Sequence, residues 1–297
     1  MHIPTSMLHG GICPITATLS VAGIAAATYF AAKTEERPSA GRFAAVSALL
    51  FAAQMVNFPV LHGTSGHLLG GVAAAAMLGT PFAVLSLSMI VTLQTVLFAD
   101  GGLDVLGANI FNMAIVGAGL GGIMFDQLKR QLNHTAAMAT AAMASVLAAA
   151  SGVCLELATA GAATLTQTLP SMLGVHALIG VGEAVITIAL VTICGKNEIA
   201  APRRNSIALP LTGAVICAAL LSPLACSWPD GLEWVSTKLH LIQTATPLVS
   251  IMPDYTVPAI NNTMLTTATA GIIGTFCVLA LGFLAGRILQ RFAIAKH

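Results

Sequence analysis

The sequence predicts an all-α, polytopic transmembrane helical bundle of about nine spans, N-terminus outside and C-terminus cytoplasmic. Three observations predict it: a composition too apolar for water, apolar runs of span length, and basic residues confined to alternate loops. Of 297 residues, 57% are hydrophobic and 8% charged, whereas a soluble domain carries about 25% charged residues. Mean hydropathy is +0.89. Lipid then dictates helices, because a chain in hydrocarbon must pair its backbone groups internally. Ala and Gly are abundant and only 5% of residues are aromatic, which suits close helix packing through small side chains.

Apolar runs of about 17 residues or more fall at 12–32, 42–58, 65–79, 81–98, 106–128, 135–157, 171–194, 207–225 and 266–288. The third is short and Gly-rich, and reads as a full, tilted or partly re-entrant span. Positive charge sets the orientation. Lys33, Arg37 and Arg42 follow the first run, Lys129 and Arg130 the fifth, Lys196, Arg203 and Arg204 the seventh, and Arg287, Arg291 and Lys296 the last. Nine crossings put all of these on one side, the cytoplasm, and leave Lys238 as the exception. A polar linker, Gly195–Ser206, divides residues 1–200, with about seven spans, from 201–297, with two spans and a long outer loop. The segment Met1–Gly10 lacks the basic start of a signal peptide, so the first residue is expected to survive in the mature protein.

A net charge of +1 provides no field for nucleic acid. Cys13, Cys154, Cys194, Cys217, Cys226 and Cys277 form no CxxC pair and read as small buried hydrophobes. No nucleotide-binding P-loop, HExxH or GxSxG motif occurs, and the glycines of Gly117–Gly122 read as helix packing.

Polar side chains at membrane depth are therefore the candidates for function. Met1-His2 offers an amine, a backbone amide nitrogen and an imidazole, three nitrogens that form fused chelate rings around Ni(II) or Cu(II). His67, at the outer end of the third run, lies on the same side and can supply a fourth. Ser65, Gln94, Asp100, Asn109 and Asn112 are placed to support a loop or orient an imidazole. His176 and Glu183, seven residues apart on the seventh run, share a helix face as a possible intramembrane polar pair; Glu156 and His62 complete the set.

Taken together, Met1-His2-Ile3-Pro4, Gly63–Gly71 and Gln94–Met113 resemble the substrate-binding membrane component of nickel/cobalt energy-coupling-factor transporters over residues 1–200. Trp228-Pro229-Asp230-Gly231-Leu232-Glu233-Trp234 and Pro253-Asp254-Tyr255 resemble its two-span companion protein over about 205–295. The resemblance implies Ni2+ or Co2+ as transported substrate, bound by Met1, His2 and His67, and no organic cofactor. It implies a bacterial or archaeal cytoplasmic membrane, and as partners the lipid bilayer, a membrane coupling (T) subunit and cytoplasmic ATPase subunits. No catalytic residue is implied, since ATP hydrolysis belongs to the partners. Ala22, Gly23, Ala26 and Ala27 resemble the face that meets the coupling subunit, and ordinary helix packing explains them equally. Members commonly continue Met-His-Ile with an acidic-Gly pair; here Pro4-Thr5 follows. The companion segment leans toward nickel over cobalt.

The rival expectation is an ion-coupled secondary transporter with His176 and Glu183 as a proton relay, although such folds carry internal repeats that this chain does not show. An intramembrane metalloenzyme would need an open coordination position. A metal sensor would need no partners.

Overall fold

The computed structural model describes residues 2–194, 206–241 and 250–291. Met1 and the basic residues Lys196, Arg203, Arg204 and Lys296 lie outside the described residues. Helices dominate: α1 (Ile12–Lys33), α2 (Ala40–Gln54), α3 (Gly71–Leu78), α4 (Thr80–Phe98), α5 (Leu106–Leu128), α6 (His134–Thr159), α7 (Leu165–Cys194), α8 (Ala208–Leu224), α9 (Gly231–Lys238) and α10 (Thr263–Arg291). A two-residue hairpin, β1 (Phe58–Pro59) and β2 (Ser65–Gly66), joins α2 to α3.

Six helices, α1, α4, α5, α6, α7 and α10, are long and apolar enough to cross a membrane. The other three predicted spans are shorter as helices. α2 has 15 residues and α3 only 8; at about 1.5 Å per residue, α3 rises about 12 Å against a hydrocarbon core of about 30 Å. Its predicted span is instead composite. Ser65 bonds to the backbone beside Asp230 at one end of the bundle. Thr80, two residues past α3, bonds to Asp126 near the far end of α5. Between them the chain runs extended to Gly70 and helically from Gly71. Gly70 is left-handed (φ +78), and Gly71 abuts the backbone of Gly117 so closely that a Cβ would collide with it. Gly71→Ala is therefore expected to destabilise the protein by about 1–3 kcal/mol, seen as a lower thermal midpoint in detergent; an unchanged midpoint would show that α5 yields there.

The two ends of the bundle differ. Arg42, only 1% exposed at the start of α2, donates to the carbonyls of Cys194 and Ser206 and so ties the end of α7 to the start of α8. Gly286 of α10 packs on Ala40, which brings Arg287 to the same end. The opposite end gathers His2, His67, Asp100 and Asp230. α1 and α10 keep broad apolar faces exposed, with Val21 at 67% and Phe276 at 65%, as lipid-facing helices should. Of the small residues on α1, Gly23 packs on Ile115 and Ala27 is buried, while Ala22 and Ala26 are exposed. α5 contains π-helical turns over Phe111–Leu120, the irregularity that accommodates Asn112.

Candidate metal centre

Separate stretches of chain meet at the histidine end, and each is pinned by backbone hydrogen bonds. Asn109, near the start of α5, clamps Ile3 from both sides. Its Oδ1 accepts from the Ile3 amide at 2.8 Å and its Nδ2 donates to the Ile3 carbonyl at 3.2 Å. The amide of Gly102 adds a bond to the same carbonyl. Ile3 itself is fully buried. These contacts draw the N-terminal stretch down between the helices and fix where His2 projects.

The second stretch carries His67. Ser65 ties it to the C-terminal region: its amide donates to the Pro229 carbonyl at 2.8 Å and its hydroxyl to the Trp228 carbonyl at 2.7 Å. Below His67, the chain enters the bundle with unpaired amides, and Glu183 of α7 receives them. Its two carboxylate oxygens accept from Leu69 at 2.6 Å and from Gly70 at 2.8 Å. A carboxylate taking two backbone N–H groups is a strong local anchor.

With both stretches held, the imidazoles of His2 and His67 stack, their centroids 5.8 Å apart and their planes 16° from parallel. Both side chains are largely buried, 6% and 11% exposed. His67 Nδ1 lies 3.2 Å from the Leu68 carbonyl. That oxygen only accepts, so Nδ1 carries a proton. His2 Nε2 lies 3.0 Å from Gln94 Oε1, and Gln94 is bonded in turn to Gln54 of α2.

Two aspartates cover the other ring edges. Asp100 Oδ1 is 3.1 Å from His2 Nδ1, and Asp230 Oδ2 is 3.6 Å from His67 Nε2. Burial alone would raise both carboxyls. The charge and hydrogen bond of His2, with the Tyr255 hydroxyl, outweigh it at Asp100 and hold that group well below the usual carboxylate range. Asp230 is likewise held low, with His67 among the opposing charges. Its other oxygen caps α9 by accepting from Leu232 and Glu233, while Glu233 accepts from the Asp230 amide. This capping box fixes the carboxylate that faces His67. Tyr255 donates to Asp100 Oδ2 at 2.6 Å and stacks on Phe98.

The predicted residues thus divide. His2, His67, Ser65, Gln94, Asp100 and Asn109 come together. Asn112 does not join them: it donates to Glu156 at 2.7 Å between α5 and α6. His176 and Glu183 are both buried, but each has another hydrogen-bond partner. His176 Nδ1 bonds to the Met172 carbonyl of its own helix, and its ring lines a small cavity with His67, Asp230 and Gly231, whereas Glu183 holds the loop. Gln54, Asp230 and Tyr255 were not among the predicted site residues. Gln54 could have been noticed as the one glutamine within the second apolar run, and Asp230-x-x-Glu233 as a capping-box pattern. Among the described residues no three His, Cys, Asp or Glu side chains converge as a metal cage; the side chains supply two imidazoles and acidic surroundings.

Comparison with known proteins identifies relatives of the chain. Residues 2–199 match the family described as cobalt uptake substrate-specific transmembrane region, CbiM, and residues 204–291 match the PDGLE domain. A putative fused nickel transport protein, NikMN, of Archaeoglobus fulgidus is 34% identical over 295 residues, covering 95% of this chain and 97% of the relative. A putative metal transport protein of Haloquadratum walsbyi is 34% identical over 201 residues, 65% of this chain and 88% of that one. The crystal structure of a truncated transition metal transporter superposes with a TM-score of 0.58 at 29% identity, covering 65% of this chain and 97% of that chain. The chain belongs to the CbiM family of cobalt-uptake transmembrane proteins, with a PDGLE domain following in the same polypeptide, and is a multi-pass membrane protein of nickel and cobalt transport.

Proposed function

We propose that this chain is the metal-capturing subunit of an energy-coupling-factor transporter that imports Ni2+, or Co2+, across a bacterial or archaeal cytoplasmic membrane. The Met1 amine, the His2 amide and imidazole, and the His67 imidazole bind the ion. A membrane coupling subunit and cytoplasmic ATPases drive its release inward, and Ala22 and Ala26, exposed on α1, are available to the coupling subunit. Residues 1–200 form the metal-binding domain and 201–297 the companion domain.

The observation that carries this reading is the stacking of His2 and His67, 65 positions apart in sequence. Strong-field nitrogen donors of this kind suit Ni(II). On this reading the third run, α2 and α8 cross beside the six long helices, nine crossings in all with the N-terminus outside, and the described basic helix ends lying opposite the histidines support it.

Radioactive nickel and cobalt uptake in cells expressing the chain with a coupling subunit and ATPases tests the reading. His2→Ala and His67→Ala are expected to fall to background, with His176→Ala retaining uptake. Loss in His176→Ala with retention in His2→Ala would transfer the function to the secondary-transporter alternative.

A further inference from the structure

A row of polar groups lies beneath the first histidine and is used by nothing described so far. The Leu69 carbonyl, two residues after His67, accepts from Gln54 Nε2 at 2.9 Å. Gln54 Oε1 accepts from Gln94 Nε2 at 2.9 Å. Gln94 Oε1 then faces His2 Nε2 at 3.0 Å. Both glutamines are buried, 5% and 1% exposed, and they come from different helices, α2 and α4.

The direction of such a row is fixed by its end. A backbone carbonyl can only accept, so Gln54 must turn its NH2 toward Leu69 and its oxygen toward Gln94. Gln94 must then turn its NH2 toward Gln54 and its oxygen toward His2. Reversing either amide would bring two acceptors face to face in a buried setting, where an unmade bond is costly. The last member, the His2 ring, therefore presents an N–H at Nε2.

The place of that proton decides which nitrogen is open to a cation. A ligand set that includes the His2 backbone amide and its own ring closes a six-membered chelate through Nδ1; Nε2 is on the far side of the ring and cannot close it. With Nε2 held as an N–H by Gln94, Nδ1 is the ring nitrogen that gives up its proton and becomes the donor to the ion. We infer that Gln54 and Gln94 are positioning residues for metal capture. They form a relay, anchored on the Leu69 carbonyl, that keeps the His2 proton on Nε2, fixes the ring plane and reserves Nδ1 for the ion. The inference rests on the reading of His2 as a metal ligand.

Two further contacts agree with it. Nδ1 faces the Asp100 carboxylate at 3.1 Å, so without an ion it carries an N–H toward that acceptor, and the ion takes the place of that proton beside a carboxylate that attracts a cation. His67 is set from the preceding carbonyl, that of Leu68, which holds a proton on Nδ1. Successive carbonyls thus select opposite nitrogens in two stacked rings, and the stretch that Glu183 anchors sets both.

The test uses the full chain in detergent with 15N-labelled histidine, and reads both ring-nitrogen shifts without metal and nickel affinity by titration. His2 signals are identified by their loss in His2→Ala. In wild type and in Gln94→Glu, which keeps an acceptor at Nε2, a protonated Nε2 is expected. Gln94→Met and Gln54→Met are expected to lose that fixed pattern and to bind nickel about tenfold more weakly, with Gln94→Glu, which keeps the acceptor at Nε2 but sets its other oxygen against Gln54 Oε1, losing less than Gln94→Met. An unchanged His2 shift pattern in Gln94→Met and Gln54→Met overturns the relay. If Gln94→Met fails to fold, Gln54→Met and Gln94→Glu decide. Unchanged nickel affinity in His2→Ala would instead overturn the ligand reading, and the metal-free shifts would still decide the relay.

Discussion

Inserting one alanine between Met1 and His2 is expected to lower nickel uptake about a hundredfold, to background, while the purified protein still binds nickel. Every side chain survives the insertion; only the chelate changes. Amine, amide and imidazole at adjacent residues give three nitrogens, and the fourth position goes to His67. One more residue adds one more amide nitrogen, so the terminus can occupy a near-planar four-nitrogen set alone. The ion then no longer needs His67. The clamp of Asn109 on Ile3 holds the stretch after His2 in place, so the extra residue must be absorbed on the amine side. A double-mutant comparison isolates the effect. His67→Ala is expected to weaken nickel binding about 10–100-fold in the natural sequence and to change it little in the insertion variant. Normal uptake by the insertion variant would sink the terminal-chelate mechanism.

The donors proposed for that mechanism stand out in sequence because they are chemically rare: a histidine at position 2, and another at the end of an apolar run. Their support was only partly legible. Gln94, Asp100, Asn109 and Ser65 stand close in sequence to recognisable blocks and do surround the histidines. Gln54 does not, because its role depends on α2 passing beside α4. Asp230 and Tyr255 belong to the C-terminal region, and only the folded chain places one beside His67 and the other beside Asp100. Helical spacing also misdirects. Residues i and i+7 share a face, so His176 and Glu183 look like a pair, yet a face is wide enough for each to meet a different neighbour. Asn109 and Asn112 likewise part company, the second turning to Glu156 within π-helical turns.

The fold was legible to the degree that apolar length sets it. Composition and run length identify the six long helices. They do not reveal how the third run crosses the bundle, since hydropathy counts residues and not rise. A stretch of Gly, Ala and Leu scores as a span whether it is helical or extended. What makes half of it extended is supplied from outside: the Glu183 carboxylate for two amides, Gln54 for the Leu69 carbonyl, and the Trp228–Pro229 backbone for Ser65. Non-helical backbone at membrane depth survives only with such partners.

Glu183 is therefore the residue on which that stretch most depends. Glu183→Ala leaves the Leu69 and Gly70 amides without an acceptor in a fully buried setting. At about 1–3 kcal/mol for each unsatisfied group, the cost is about 2–6 kcal/mol, and the loop that sets His67 should lose its position first. Nickel affinity is expected to fall at least about thirtyfold, since about 1.4 kcal/mol is a factor of ten, together with a lower thermal midpoint. Glu183→Gln separates this role from proton transfer. Its amide oxygen can still accept one of the two bonds, but its NH2 meets the other N–H as a second donor. The clamp thus predicts an intermediate loss of nickel binding in the metal-free titration, matched by a similar loss of uptake. A proton-relay residue would behave otherwise: glutamine would abolish uptake and leave nickel binding and thermal midpoint at their wild-type values. Either pattern is read from one titration, one melting curve and one uptake assay on the same three proteins, and the second would remove Glu183 from the support of His67.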